Sequence, residues 1–219
     1  MRNILRIMLS SILSGIIVSI GGIVFVYSKG SFENGAIIGS FLFSFALLLI
    51  IEYQLDLFTG KVCYFFHKEN IYKLNLIFIL LGNIIGAVLI GYFIRLTNND
   101  LVNTTIFQIV NAKMSISLFS AFIMAFFCGI MIFFGVDIAK RSSNKLFSSL
   151  ITILCIMIFI LSGFEHSIAN TFYYSLANIW NLKTIVYLLV IISGNFVGGI
   201  FFPLIFSLMG RLNTKEVAK

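Results

Sequence analysis

Residues 163–170 of this chain read Gly163-Phe164-Glu165-His166-Ser167-Ile168-Ala169-Asn170. They follow an almost wholly apolar run at residues 146–161. That run is about 16 residues long, whereas roughly 20 residues are needed for a helix to cross the hydrocarbon core of a bilayer. Ionisable groups are costly inside a bilayer, and they usually face a cavity or a pathway. We therefore predict a helix that stops inside the membrane and gives way to a functional polar segment.

The composition is that of an integral membrane protein. The 219 residues are 60% hydrophobic and 11% charged, and the mean hydropathy is +1.07. A soluble domain of this size does not need so much apolar surface. The formal net charge of +7 is scattered between apolar runs, so we assign it to contact with anionic lipids and expect no nucleic-acid partner. Cys63, Cys128 and Cys155 form no spacing pattern, and we expect buried reduced thiols, no metal site and no cofactor.

Six apolar runs predict six transmembrane helices in one domain that covers residues 1–219. The runs lie at residues 4–27, 36–55, 74–94, 116–136, 146–161 and 185–209. The first run follows Arg2 and Arg6 and resembles a secretory signal, but it lacks a small-residue cleavage site and five more runs follow it. We interpret it as the first transmembrane helix. The polar residues after the second and fifth runs predict a break in each of those helices.

The two halves of the chain resemble each other. The third run contains Gly82-Asn83-Ile84-Ile85-Gly86, and the sixth contains Gly194-Asn195-Phe196-Val197-Gly198. Three spans per half is an odd number, so the second half must be inserted upside down relative to the first. An inverted repeat with a broken helix in each half is typical of transport proteins whose substrate path lies between the halves. Chance similarity between Gly-rich helices is the alternative.

The positive charges in the loops predict the orientation. If both termini lie on one side, that side collects eleven of the fifteen basic residues. We expect that side to be the cytoplasm. We also expect the chain to be a multi-pass protein of the cell membrane. The eleven are Arg2, Arg6, Lys61, Lys68, Lys73, Lys140, Arg141, Lys145, Arg211, Lys215 and Lys219, and the other four are Lys29, Arg95, Lys113 and Lys183.

Three motifs resemble those of the formate/nitrite transporter family. Residues 163–170 match the family signature, Leu57-Phe58-Thr59-Gly60 matches its other motif, and Asn195-Phe196-Val197-Gly198-Gly199 matches its last-span motif. Lys113 falls where the family carries a lysine. The resemblance implies an aquaporin-like protomer of six helices, assembled as a homopentamer, with one pore per protomer for formate, nitrite or hydrosulfide. Lys61 replaces the usual Asn of the family.

His166 is the residue that we expect to meet the substrate. An imidazole donates a hydrogen bond while it is neutral, and its charge can change near neutral pH. It can therefore bind an anion or pass it a proton, so that a neutral weak acid crosses the apolar parts of the pore at a much smaller desolvation cost. The alternative is a histidine that only satisfies backbone carbonyls freed by the broken helix.

Thr59 and Lys113 each carry two interpretations. The Thr59 hydroxyl could bond His166 or the passing anion, or it could cap the loop backbone. Lys113 could raise the local concentration of small anions at the pore entrance, or it could be a solvated or snorkelling lysine.

The remaining candidates are split between the pore and its support. Asn170 and Asn195 either line the path or bridge helices by hydrogen bonds. Two interpretations also apply to Leu57, Phe58 and Phe164, which either form an apolar constriction in the pore or take part in ordinary packing. Glu165, Gly60 and Gly163 are expected to be structural, and Glu165 should tie down its segment or meet a neighbouring protomer because a helical turn would direct it about 100° away from His166. Glu52 and Asp56 should share a helical face.

Two other functions compete with anion conduction. An aquaporin-like channel for water or small neutral solutes would typically carry paired Asn-Pro-Ala motifs, but the only proline is Pro203 and no such motif is present. An intramembrane enzyme could use Glu165 and His166, but no nucleophile motif or metal-ligand cluster accompanies them. We therefore expect a channel or transporter, not an enzyme.

Overall fold

A computed structural model describes residues 2–66 and 68–210. Within these ranges the fold is all-helical, and the helices are α1 (Arg2–Ser31), α2 (Gly35–Glu52), α3 (Phe58–Lys61), a 3₁₀ turn (Val62–Tyr64), α4 (Asn70–Arg95), α5 (Asp100–Ser115), α6 (Leu118–Arg141), α7 (Lys145–Leu161), α8 (Ser167–Ala177) and α9 (Leu182–Leu208). Three residues of the charge count, Arg211, Lys215 and Lys219, lie outside the described residues, as does the side chain of Arg2.

Five of the described helices, α1, α2, α4, α6 and α9, are long and apolar enough to cross a membrane, and α7 is a shorter apolar helix. Two crossings are broken, since α2 is followed by α3 and α7 is followed by α8. The chain is therefore a multi-pass membrane protein, and the predicted all-α fold of six spans with broken second and fifth helices is confirmed.

Both breaks use the same local structure. At the end of α2 the Leu55 amide donates to the Ile50 carbonyl (2.9 Å), while Gln54 adopts a φ of +53°. At the end of α7 the Phe164 amide donates to the Phe159 carbonyl (2.9 Å), while Gly163 adopts a φ of +71°. This is the Schellman arrangement, which satisfies the last carbonyls of a helix and turns the chain away. Our expectation that Glu52 and Asp56 share a helical face is wrong, because α2 ends at Glu52.

Two buried asparagines hold the breaks in equivalent ways. Asn83 on α4 accepts a hydrogen bond from the Phe58 amide (2.7 Å) and donates to the carbonyls of Asp56 (2.9 Å) and Ser11 (2.7 Å). Each of these bonds has its counterpart in the second half. Matched bonds at matched positions support the inverted repeat over chance similarity.

The counterpart is Asn195 on α9. Its oxygen accepts from the Ser167 amide (2.8 Å), and its nitrogen donates to the carbonyls of Glu165 (2.8 Å) and Ala125 (2.9 Å). We call each set of three bonds an amide bracket. A bracket ties the broken helix to two neighbouring spans and satisfies backbone groups that the break frees, as a bilayer requires.

Helix packing repeats in the same way. Helix α1 packs closely on α4, and α6 packs closely on α9. A Cβ atom added at Gly86 would collide with the Ile12 carbonyl, and one added at Gly198 would collide with the Phe126 carbonyl. Small residues at these crossings let two backbones approach, as is common in membranes. The short helix α8 packs on α4, which belongs to the other half, so the broken helices lie at the interface of the halves.

The helix α5 was not predicted. It connects the two halves and packs on α1 and α8. Its signals are present in the sequence, since the Asn99 side chain caps the Val102 amide (3.1 Å) and the apolar residues Val102, Ile106 and Ile109 recur at helical spacing and are buried. Its mixed polarity is unlike that of a membrane span, so the apolar runs do not indicate it. Lys113 lies in the last turn of α5.

Candidate functional site: two cavities separated by His166

A cavity of about 260 Å³ lies beside the second break, and we call it the polar cavity. Its lining residues include three charged side chains, those of Lys29, Lys113 and Glu165. His166 adds an imidazole and Asn170 an amide. The volume is several times the roughly 30 Å³ that a water molecule occupies in the liquid, so a hydrated small anion fits.

A second cavity, which we call the apolar cavity, has a volume of only about 10 Å³. Its wall is aliphatic and aromatic except for His166, and it includes Leu57, Leu47, Ile132 and Phe159. About 10–15 Å³ is the least space that holds one water, so this region is a constriction. His166 lines both cavities and therefore lies at the boundary between a polar and an apolar environment.

The hydrogen bonds of His166 define its tautomer. The residue is 3% exposed and precedes the first residue of α8, where Nδ1 accepts a hydrogen bond from the Ala169 amide (3.2 Å). A nitrogen that accepts carries no proton, so the neutral ring has its proton on Nε2. Nε2 lies 2.9 Å from Thr59 Oγ1 and donates to it. The ring thus accepts a hydrogen bond from a backbone amide. The alternative prediction was a histidine that satisfies backbone carbonyls freed by the broken helix.

Thr59 belongs to the first half and contacts His166, although it lines neither cavity. Its side chain is fully buried, and it lies in α3, immediately after the first break. Because Oγ1 accepts the Nε2 proton, the hydroxyl proton of Thr59 points elsewhere, and it has no acceptor among the side-chain hydrogen bonds of the described residues. The predicted hydrogen bond between Thr59 and His166 is present. It joins the two broken helices at one point.

Lys113 is paired with a buried carboxylate. Its Nζ lies 2.9 Å from Glu165 Oε2, and the exposed fractions of the two side chains are 17% and 3%. The same carboxylate oxygen accepts a short hydrogen bond from the Asn170 amide nitrogen. Since that nitrogen faces the carboxylate, the other end of the amide is Oδ1, and it is buried without a hydrogen-bond partner in the described structure.

The prediction that a helical turn directs Glu165 away from His166 is wrong. Both residues precede α8, and both line the polar cavity. The expectation that Glu165 ties down its segment agrees with its bond to Asn170 in the first turn of α8. Glu165 is buried and its carboxylate has partners within its own chain, so the alternative contact with a neighbouring protomer is not favoured.

The other predicted residues divide between cavity walls and support. Leu57 lines the apolar cavity, and Phe164 lines the polar cavity and stacks on Phe127 at 5.5 Å. Phe58 lines neither cavity and packs in a separate cluster that includes Val62. Asn195 is used in its amide bracket and is fully buried.

The two predicted glycines are structural neighbours of the site for different reasons. Gly163 has a positive φ of +71°, and an added Cβ would meet nothing within 4 Å, so only the backbone conformation requires glycine. Gly60 lies in α3, and a Cβ there would meet Val136 at 3.3 Å.

Lys29 was missed as a site residue. The sequence shows it only as one of four basic residues on the predicted outer side, yet it lies in the last turn of α1 and lines the polar cavity. Its place on the same predicted side as Lys113 was the signal that could have drawn attention to it. No group of three or more His, Cys, Asp or Glu side chains in the described ranges could hold a metal ion.

An inverted repeat whose two broken helices meet at a buried histidine between two cavities defines a membrane transport protein. The sequence profile described as formate/nitrite transporter matches residues 1–209. The chain therefore belongs to the formate/nitrite transporter family, and it is a channel or transporter, not an enzyme.

Three proteins of similar sequence agree with this assignment. The uncharacterized transporter YwcJ of Bacillus subtilis is 28% identical over 76% of this chain and 71% of its own length. The formate channel FocA of Escherichia coli K12 is 25% identical over 74% of this chain, and the match spans 62% of FocA. A formate-nitrite transporter of Plasmodium malariae is 29% identical over 94% of this chain and 77% of its own length.

Two solved structures share the fold. One is a pentameric formate channel with formate bound, which has a TM-score of 0.82 and 20% identity over 97% of this chain and 99% of its own. The other is an ion channel of the same family, which has a TM-score of 0.83 and 23% identity over 95% of this chain and 91% of its own.

Proposed function

We propose that this protein conducts formate, nitrite or hydrosulfide across a membrane by a path that crosses the polar cavity, passes His166 and Thr59, and continues through the apolar cavity. One observation carries the proposal, namely that His166 lines both cavities and bonds the residue of the opposite half. The names of FocA and of the Plasmodium relative support the same substrate class. None of the relatives named above is described as a water or glycerol channel.

The chemistry of the boundary explains why weak acids suit it. A bare anion that enters the apolar cavity loses its hydration, which carries a large desolvation cost. Desolvation raises the pKa of an acid and favours its neutral form. The neutral Nε2-protonated ring of His166 is a very weak acid, so the proton comes from solvent in the polar cavity. The role of His166 is to donate to Thr59 and so to direct the Thr59 hydroxyl proton toward the substrate.

Asn170 supplies the complementary group. Asn170 lines the polar cavity, and its Oδ1 is an acceptor that is buried without a partner among the described residues; a movement of this side chain toward the cavity would let Oδ1 accept the O–H or S–H proton of a neutral acid. The site thus offers a cation for the charged form and an acceptor for the protonated form. The conjugate acid of chloride is not populated in water, so chloride gains nothing from the acceptor on Asn170.

The orientation and assembly belong to the same proposal. We place both termini in the cytoplasm and the polar cavity on the outer side. Lys29 and Lys113 share that cavity, and Lys183 donates to the Met114 carbonyl (3.3 Å) at the same end. Lys140 lies over Tyr64 (4.1 Å), beyond the first break, in agreement with the charge count.

We propose assembly as a homopentamer, because the fold is shared with a pentameric formate channel.

Flux into proteoliposomes tests the proposal. Formate, nitrite, hydrosulfide, chloride and glycerol should be compared at two pH values, and the three weak-acid anions should enter faster than chloride and glycerol. Flux of formate should rise at the lower pH because more of it is protonated. Glycerol flux without anion flux would overturn the proposal.

His166→Phe tests the central residue. The variant removes both hydrogen bonds of the ring while keeping an aromatic shape, and we expect weak-acid flux to fall to background. Size-exclusion chromatography should show an unchanged oligomer. If a correctly assembled His166→Phe protein conducts formate at the wild-type rate, His166 has no role in the path.

A further inference from the structure

We infer that Lys29, rather than Lys113, is the cation that concentrates anions in the polar cavity, and that Lys113 is a positioning residue for Glu165. The inference rests on the proposed function only for the identity of the anion that is attracted. The electrostatic part concerns the potential inside the cavity, and it can be measured without transport.

The charges that line the polar cavity can be counted one by one. Lys113 and Glu165 are 2.9 Å apart and cancel each other at a distance. The His166 ring is neutral because Nδ1 accepts a hydrogen bond. That leaves Lys29, which forms no salt bridge in the described part of the chain. The net charge of the cavity wall is therefore positive, and Lys29 supplies it.

The position of Lys29 suits capture at an entrance. The side chain is exposed at the last turn of α1, so water reaches it. Its Nζ lies 5.9 Å from the centroid of the Phe25 ring, which also lines the cavity, and a cation over an aromatic face is weakly held there. An anion can exchange with water around such an ammonium group.

Lys113 has a different place in the cavity. Its side chain is mostly buried, and its carboxylate partner also accepts from Asn170. Removal of Lys113 alone would leave a buried carboxylate facing the cavity, which repels anions and is costly to bury. A loss of transport in a single Lys113 variant would therefore not prove that Lys113 attracts the substrate. Removal of both charges of the pair separates the two explanations.

The size of the effect follows from Coulomb's law. A unit charge about 10 Å away changes the local concentration of a monovalent anion by about 2-fold to 16-fold for an effective dielectric constant between 80 and 20. A cation is affected in the opposite sense. The ratio of the local concentration of an anionic probe to that of a cationic probe should therefore change at least about fourfold at low salt. The change should be smaller in high salt because of screening.

A cysteine at Ser162, which lines the polar cavity, provides the probe. The variant Ser162→Cys is treated with an anionic and a cationic thiol reagent of similar size, and the ratio of the two reaction rates reports the local potential. Cys63, Cys128 and Cys155 are buried, and protein without the new cysteine corrects for their reaction. Size-exclusion chromatography checks that each variant keeps its oligomeric state.

Three variants are compared in this background. Lys29→Gln should lower the anionic-to-cationic ratio at least about fourfold at low salt. The double variant Lys113→Gln with Glu165→Gln keeps the net charge and should leave the ratio unchanged. Lys183→Gln removes an exposed lysine of the same end that does not line the cavity and serves as the matched control.

An unchanged ratio in Lys29→Gln would overturn the inference, and so would a fall in the double variant of the same size. Formate flux then separates this inference from the proposed function. In a conducting wild type, Lys29→Gln should raise the formate concentration for half-maximal flux severalfold, mainly at low salt. If the wild type conducts no anion while the reagent ratio falls as expected, the proposed function fails and the assignment of the charge to Lys29 stands.

Discussion

Replacing Asn195 by leucine should destabilise the protein by roughly 2–6 kcal/mol. The buried amide makes three hydrogen bonds, one to the Ser167 amide and two to the carbonyls of Glu165 and Ala125, at 2.8–2.9 Å. Leucine has a similar size but makes none of them. Hydrogen bonds between membrane helices are worth about 0.6–2 kcal/mol each, and three of them give the range above. The second break then loses its attachment to α6 and α9.

Thermal unfolding of the purified oligomer measures this loss. A change of 1 kcal/mol moves the midpoint by about 2–4 °C for a chain of this length, so Asn195→Leu should lower it by at least about 4 °C. Asn83→Leu should cost a similar amount because Asn83 makes the equivalent three bonds in the first half. Asn103→Leu is the control, since Asn103 is half-buried and its side chain makes one long bond of 3.5 Å.

Two results would refute the reasoning. If Asn195→Leu and the control Asn103→Leu have the same midpoint of thermal unfolding, the amide bracket does not stabilise the fold. If Asn195→Leu is strongly destabilised while Asn83→Leu is not, the brackets are not equivalent and the structural repeat does not extend to their energetics.

Two further predictions concern the boundary and the second break. Thr59→Val should reduce formate flux at least about tenfold, because it removes the hydroxyl that His166 directs toward the substrate and leaves the buried Nε2 proton without an acceptor, at a cost of about 1–3 kcal/mol. Thr59→Ser should retain most of the flux, and equal flux in both variants would contradict the role of the hydroxyl. Gly163→Ala should lower the free energy of unfolding by about 1–2 kcal/mol, because its φ of +71° disfavours any side chain while the surrounding space is open. Gly135→Ala in α6 is the comparison, since its Cβ would have ordinary contacts of 3.5 Å or more; if both glycine variants unfold alike, the positive φ carries no cost.

Some features were readable in the sequence because their cause is local or set by the solvent. The apolar runs predict the spans, since any helix in a bilayer must be apolar over about 20 residues. The polar residues around Thr59 and His166 predict the breaks, because such groups are tolerated at that depth only where the backbone lines a cavity. The matching Gly-Asn patterns around Asn83 and Asn195 predict the repeat. None of these inferences requires knowledge of which residues touch.

The pairing of the site residues could be decided only by the tertiary structure. Lys113 and Glu165 are far apart in sequence, so no periodicity reveals that they neutralise each other. Helical geometry misplaced Glu165 because the break puts it in a non-helical segment before α8. In the sequence Lys29 is one more basic residue near a loop. Only the fold shows that Lys29 of α1 and Lys113 of α5 line the same cavity. The net charge of a cavity is a sum over residues that the fold assembles, and it cannot be read from any one segment.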